Sequence, residues 1–161
     1  YTARRRIYIA GRRRHMTMTY TDIETALRQL LRPEALLFDA PTDADWQSLE
    51  SQFRCQFGDD FKAFIALMSK FQFPGDILNV SSGRTNGNDL ISVAYQYELQ
   101  CDSWDVTMIP FYAIGNGDYF CLSSMECPAS RVFYYFAEKQ AFEPYCDSFE
   151  QWIQGLPEFL A

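Results

Sequence analysis

The sequence predicts an α+β domain with N-terminal helices, a central antiparallel β-meander and a closing C-terminal helix. Three observations point to it. Apolar residues recur at helical spacing between Ile23 and Met68. From Val106 to Phe142 the chain changes to short β-branched and aromatic runs separated by Gly, Asn and Pro. Helical spacing then returns from Phe149 to Leu156. Helices grouped first and strands grouped next exclude the alternating order of a parallel α/β sheet.

The elements follow in order. Thr21-Asp22-Ile23-Glu24 reads as a capping box, with Thr21 as cap and Glu24 reaching back. Ile23, Leu27, Leu30 and Leu31 form the apolar stripe behind it, and Pro33 ends the helix. Thr42 and Asp45 repeat the pattern ahead of Trp46, Leu49 and Phe53, and Gly58 breaks that second helix. Asp59 or Asp60 caps a third, with Phe61, Phe64, Ile65 and Met68 inward. Pro74-Gly75 is a turn and Ile77 to Val80 a short strand. Leu90 to Leu99 fits both an alternating strand and a helix capped by Asn88 or Asp89, and the helix is the preferred reading. Val106–Ile114 and Tyr119–Leu122 flank Gly115-Asn116-Gly117-Asp118, a hairpin signal in which glycine supplies positive φ for a two-residue turn. Cys127-Pro128-Ala129-Ser130 is the next turn, Arg131–Phe136 the next strand, and Ala137–Gln140 turns into Ala141-Phe142. Asp147 or Ser148 caps the last helix, and Gly155 with Pro157 stops it.

Residues 1–15 differ from the rest. They hold six arginines, no acid and the one histidine, His15, just ahead of Met16. This reads as a leader left by an expression vector, with 16–161 as a single domain. The competing reading is a basic arm for nucleic acid. The whole chain has a net charge of −7; without the leader, eight basic residues face 21 acidic ones, a net −13. Such a surface repels phosphate backbones and speeds encounter with basic proteins, so no direct nucleic-acid partner is expected. The hydrophobic fraction of 48% and aromatic fraction of 17% exclude a disordered chain. No apolar run approaches a membrane span and no export signal is present, so no membrane partner is expected, and the predicted location is the cytoplasm. Cys55, Cys101, Cys121, Cys127 and Cys146 form no Cys-x-x-Cys and read as free thiols.

Outside the leader there is no histidine, which removes Ser-His-Asp and Cys-His catalysis and most metal sites. Asp59-Asp60 is better explained by helix capping than by proton sharing, because adjacent side chains on a helix diverge. Asp102-Ser103-Trp104-Asp105 is better explained by a turn. No cofactor or metal is expected. The unbroken run Phe133-Tyr134-Tyr135-Phe136 makes both faces of one strand aromatic. One face belongs in a core; the other meets solvent, a second layer or a partner, and Tyr112, Tyr119 and Tyr145 can extend it.

Several segments in order carry a family resemblance: the helix with Trp46 and Leu49-Glu50, then Phe57 to Ile65, then Ile109-Pro110-Phe111 followed by Ile114-Gly115-Asn116-Gly117-Asp118-Tyr119-Phe120-Cys121-Leu122, then Val132–Tyr135 and the helix Phe149–Leu160. Over residues 46–160 the chain resembles the SUKH superfamily, which includes fungal cell-wall-assembly regulators and many bacterial immunity proteins. It departs from the family pattern at Ser123, where an Asp is usual, and at Gly58, where a Pro is common. The resemblance implies a central antiparallel sheet with flanking helices, no catalytic residues, and structural roles for Trp46, Gly115, Gly117 and Asp118, with Asp118 bonding the amides of its own turn. It also implies a protein-binding role. The expected partner is a basic, co-encoded toxin such as a nuclease, bound through Asp102, Trp104, Asp105, Tyr134, Tyr135, Glu138 and Glu143 with nanomolar or tighter affinity, about −12 kcal/mol. The alternative is a regulatory scaffold that recruits cellular proteins. An enzyme working through carboxylates alone is a third and weaker class.

Overall fold

The computed structural model describes residues 17–33, 40–81 and 90–161, so the arginine-rich leader with His15 and the caps expected at Asn88 and Asp89 lie outside the described residues. The elements are α1 (Tyr20–Leu30), α2 (Asp43–Phe53), α3 (Asp59–Met68), β1 (Asp76–Ile77), α4 (Ile91–Glu98), β2 (Met108–Ala113), β3 (Tyr119–Ser123), β4 (Val132–Phe136), β5 (Ala141–Cys146) and α5 (Phe149–Leu160). The strands form one antiparallel sheet in sequence order, β1-β2-β3-β4-β5. The α+β architecture is the one predicted.

Local chemistry explains the helix ends. Thr19, not Thr21, caps α1: its hydroxyl accepts from the Asp22 amide while Asp22 returns a bond to the Thr19 amide at 2.9 Å. The sequence repeats the Thr-x-x-acid pattern two residues apart, and the earlier start wins because it brings Tyr20 into the helix, where its hydroxyl donates to the carbonyl of Asp60 on α3. Thr42 and Asp45 form the box expected for α2. That helix ends earlier than Gly58, at Arg54, which adopts the left-handed conformation with φ 54°. Gly58 instead occupies the N-cap of α3 without a side-chain bond, and Asp59 and Asp60 sit in the first turn, favourable there for the helix dipole. Leu90 is the N-cap of α4 and contributes no side-chain bond. Ser148 caps α5. Pro157 does not stop this helix but lies inside it, one turn before its end. The missing N–H costs one helical bond, and the turn is held because Leu156 is buried and Leu160 packs on the core.

The main core lies between the helices and one face of the sheet. Phe61, Phe64, Phe111, Phe149 and Trp152 meet mostly edge-to-face, with centroids 5.0 Å apart for Phe111–Trp152 and 5.3 Å for Phe64–Trp152. Trp46 packs against Phe57 at 5.7 Å, under Lys62. β2 reaches this core through a register shift between Pro110 and Tyr112, which places both Phe111 and Tyr112 on the helix side. Proline has no N–H for the ladder, so a bulge suits that position. Gly75 holds the β1 turn against β2: its φ is +85°, and an added Cβ would lie 2.3 Å from the Ala113 carbonyl oxygen. Of the expected strand Ile77–Val80 only Ile77 pairs with β2, joined by Asp76 before it, though Leu78 still donates to the Phe111 carbonyl.

The other face carries a second, smaller core of Trp104, Met108, Cys121, Phe133 and Tyr135. The segment between α4 and β2 roofs it. Trp104 is 5% exposed and its indole N–H donates to the Met108 carbonyl at 3.2 Å. The aromatic strand β4 therefore feeds two cores at once.

Candidate protein-binding site

Asp118 joins the two hairpin turns that end the sheet. Its carboxylate accepts from the Tyr134 hydroxyl at 2.8 Å, from the Ala137 amide at 2.9 Å and from the Asn116 side-chain amide at 3.2 Å. Within its own turn it takes only that Asn116 side-chain amide and no backbone amide: there the Asn116 side-chain oxygen accepts from the Asp118 amide. The turn is also longer than two residues, since the Ile114 amide bonds the Asp118 carbonyl across Gly115, Asn116 and Gly117. Both glycines have positive φ, and a Cβ on Gly117 would press on Ala137 at 3.1 Å. The Gly-Asn-Gly-Asp stretch thus fixes the β4–β5 turn against the β2–β3 turn. Burial, and then the bond to Asp118, push the Tyr134 phenol well above its ordinary pKa, so it stays a donor.

Around Tyr134 the helix-side face continues to the sheet edge. The Phe120 ring lies at its base, 5.0 Å from Tyr134, 4.8 Å from Tyr145 and 5.8 Å from Phe159 of α5. Phe136 adjoins Tyr134 at 4.6 Å. Tyr145 is 39% exposed and Phe159 46%. Glu143 lies opposite Tyr134 in the register, and burial, then Cys146 and then the charge of Glu158, raise the Tyr145 phenol. The result is an aromatic patch with an acidic rim. Between Leu90 and Ala161 there are ten carboxylates and two cations. Both cations are paired: Arg131 grips Glu126 at 2.8 and 2.9 Å, and Lys139 reaches Glu143 at 3.5 Å while lying 4.5 Å over Phe136.

The seven contact residues expected from sequence do not form one surface. Tyr134 and Glu143 belong to the patch, and Glu138 is exposed in the turn beside it. Asp102 and Asp105 lie on the opposite side of the sheet, exposed, around Trp104. Asp105 accepts from the Thr107 amide at 2.9 Å and hydroxyl at 2.7 Å, an Asx turn. Trp104 and Tyr135 are interior, at 5% and 3% exposure, with rings 4.9 Å apart. Both belong to the smaller core and pack beneath the strand. Tyr112 is buried too. Phe159 escapes the sequence reading of the site because local pattern stops the helix at Pro157, although the family resemblance carries that helix to Leu160. Its signal was the apolar spacing carried on from Trp152 and Leu156.

Among the described residues, no group of three His, Cys, Asp or Glu side chains converges to hold a metal ion, and no helix is long and apolar enough to cross a membrane.

A family model described as SUKH_5, SMI1-KNR4 cell-wall, matches residues 22–158. The chain belongs to the SUKH family. The match begins inside α1, ahead of the segment where the resemblance is legible by eye, so the first helix is part of the SUKH domain. A crystal structure of a protein from Pseudomonas syringae pv. tomato has the same fold, with a TM-score of 0.54 and 16% identity over 73% of this chain and 83% of that one. No curated protein matches the chain significantly.

Proposed function

We propose that this SUKH domain is a cytoplasmic protein-binding module of the immunity type, which holds and neutralises a basic, co-encoded toxin and performs no chemistry itself. The observation that carries this reading is the aromatic patch of Tyr134, Phe136, Tyr145 and Phe159 inside an acidic rim. Exposed aromatics with charge at the periphery suit a protein interface: the rings exclude water and hold the complex, and the rim steers its approach. A basic toxin such as a nuclease has the complementary charge. The test is to co-express the product of the adjacent gene with this chain and measure affinity by calorimetry at two salt concentrations. Nanomolar binding that weakens with salt supports the reading. Glu143→Lys should then slow association, and Tyr145→Ala should speed dissociation. Absence of a toxin-like neighbour, or of any binding, moves the weight to a scaffold that recruits cellular proteins, a second reading favoured by the cell-wall description of the matching family.

A further inference from the structure

The β2–β3 turn carries Asn116 directly ahead of Gly117, and Gly115, Asn116 and Gly117 are all exposed. The Asn116 side chain is held in a defined pose. Its oxygen accepts from the Asp118 amide at 3.0 Å, and its nitrogen donates to the Asp118 carboxylate at 3.2 Å. The first bond polarises the side-chain carbonyl and makes its carbon more electrophilic. Gly117 has φ +91° and no Cβ, so no side chain of its own shields its nitrogen from Asn116. No hydrogen bond among the described residues engages the Gly117 N–H. Asn79 is the contrast: the residue after it is β-branched, and the Val80 amide already donates to the Asn79 side-chain oxygen at 2.8 Å. Asn116 also matters to its surroundings, because the Asp118 carboxylate it touches holds the Tyr134 hydroxyl and the Ala137 amide.

We propose that Asn116 is a self-modification site, whose side-chain amide is lost by cyclisation onto Gly117 and whose acidic product releases the Asp118 clamp between the two hairpin turns. Asparagine is a labile side chain. The Gly117 nitrogen gives its proton to solvent base and attacks the Asn116 side-chain carbonyl carbon. A C–N bond closes a succinimide ring, the bond to Nδ2 breaks, and ammonia leaves after taking a proton. Water then adds to either ring carbonyl. A C–O bond forms, one ring C–N bond breaks, and the Gly117 nitrogen regains its proton. One water is consumed, one ammonia is released, and nothing is oxidised or reduced. Opening one way gives aspartate; opening the other gives isoaspartate, with the backbone running through the former side chain. Either product loses the N–H that bonded Asp118 and sets a second carboxylate beside it. Isoaspartate also lengthens a turn whose register is fixed by the Ile114–Asp118 bond. Asp118 is pushed from its place, and Tyr134 and Ala137 lose their acceptor. This holds whether or not the aromatic patch binds a partner.

The test ages the full chain in heavy-oxygen water at mildly alkaline pH, below its melting temperature, and maps peptides by mass spectrometry. It uses the Asn86→Gln background, which removes the other Asn-Gly pair. The Asn116 peptide should take up heavy oxygen and resolve into aspartate and isoaspartate forms. The Asn79 peptide should do so at least about tenfold more slowly, since Val80 is β-branched and its amide is engaged. The aged chain should melt about 2–6 °C lower, with faster hydrogen exchange at the Ala137 amide. Asn116→Asp should show the same fall and the same fast exchange without ageing. Asn116→Gln, whose longer side chain closes the ring far more slowly, should melt at one temperature before and after ageing. Label entering residue 116 no faster than residue 79, a deamidated chain that melts and exchanges like the fresh one, or an equal drift in Asn116→Gln would each overturn the proposal.

Discussion

The two faces of the sheet are built differently from the same strand. On one face, β4 gives Val132 and Tyr134 to a core closed by all five helices, α1 to α5. On the other it gives Phe133 and Tyr135 to a small core roofed by an irregular segment, with Trp104 touching Tyr135, Phe142 and Tyr119 at 4.9, 4.9 and 5.7 Å. Regular helices cover a wide area through repeated spacing. A turn covers only what one large side chain can reach. The helix-backed face should therefore set global stability, and the Trp104 face should set local order in β4, β5 and the turn after α4.

Truncation separates the two. Phe111→Ala, at 0% exposure and against five aromatic neighbours, should cost about 4 kcal/mol in chemical denaturation and leave much of the protein unfolded. Trp104→Ala should cost about 3 kcal/mol, with hydrogen exchange accelerating first in β4, β5 and residues 99–107 while α3 and α5 stay protected. Uniform loss of protection in Trp104→Ala would show that the two cores open as one unit.

Alkaline pH probes the buried phenols, and Tyr112 is the one seated in the helix-backed core. Burial, then the Asp76 carboxylate, push the Tyr112 phenol from 10.0 to about 12, and its hydroxyl donates to the Pro74 carbonyl. A phenol raised in the folded state favours folding fully below pH 10, and that contribution is lost as pH rises through 12. The loss is about 2 kcal/mol from Tyr112, with Tyr20 contributing in the same direction. Tyr112→Phe should flatten the stability profile between pH 10 and 12. An unchanged slope would place the alkaline sensitivity elsewhere.

Asp118 links the sheet end across both faces, and its removal should cost less. Asp118→Ala leaves the Tyr134 hydroxyl and the Ala137 amide without their acceptor, about 1–2 kcal/mol. Asp118→Asn should recover part of this through its remaining carbonyl oxygen. Thermal melts of the two variants check the ordering.

The fold was largely legible in the sequence because period and turn chemistry are local. Phe61, Phe64, Ile65, Met68, Phe149, Trp152, Ile153 and Leu156 all point inward as their spacing requires. The failures share a cause, which is that a distant contact chose between local options. Tyr20 reaching Asp60 selected Thr19 over Thr21, and the packing of Leu160 carried α5 through Pro157. The site was less legible still. Which of two adjacent tyrosines is buried depends on what roofs the sheet, and nothing near Tyr134 or Tyr135 in sequence says that Trp104 will cover the second.

The smallest effect on stability should come from the exposed rim, where the binding proposal places the largest functional effect. Tyr145→Ala and Phe159→Ala remove rings that are 39% and 46% exposed, so each should cost under about 1 kcal/mol in denaturant titration. Their rings still rest on Phe120, so the cost should not be zero. Against a bound partner the same truncations should weaken affinity at least about tenfold, mostly through faster dissociation. Asp102→Asn and Asp105→Asn, on the Trp104 side, should change only the salt dependence of association. If the acidic pair instead governs affinity and the rings do not, the binding surface lies on the roofed face, and the small core beneath Trp104 is the element that shapes it.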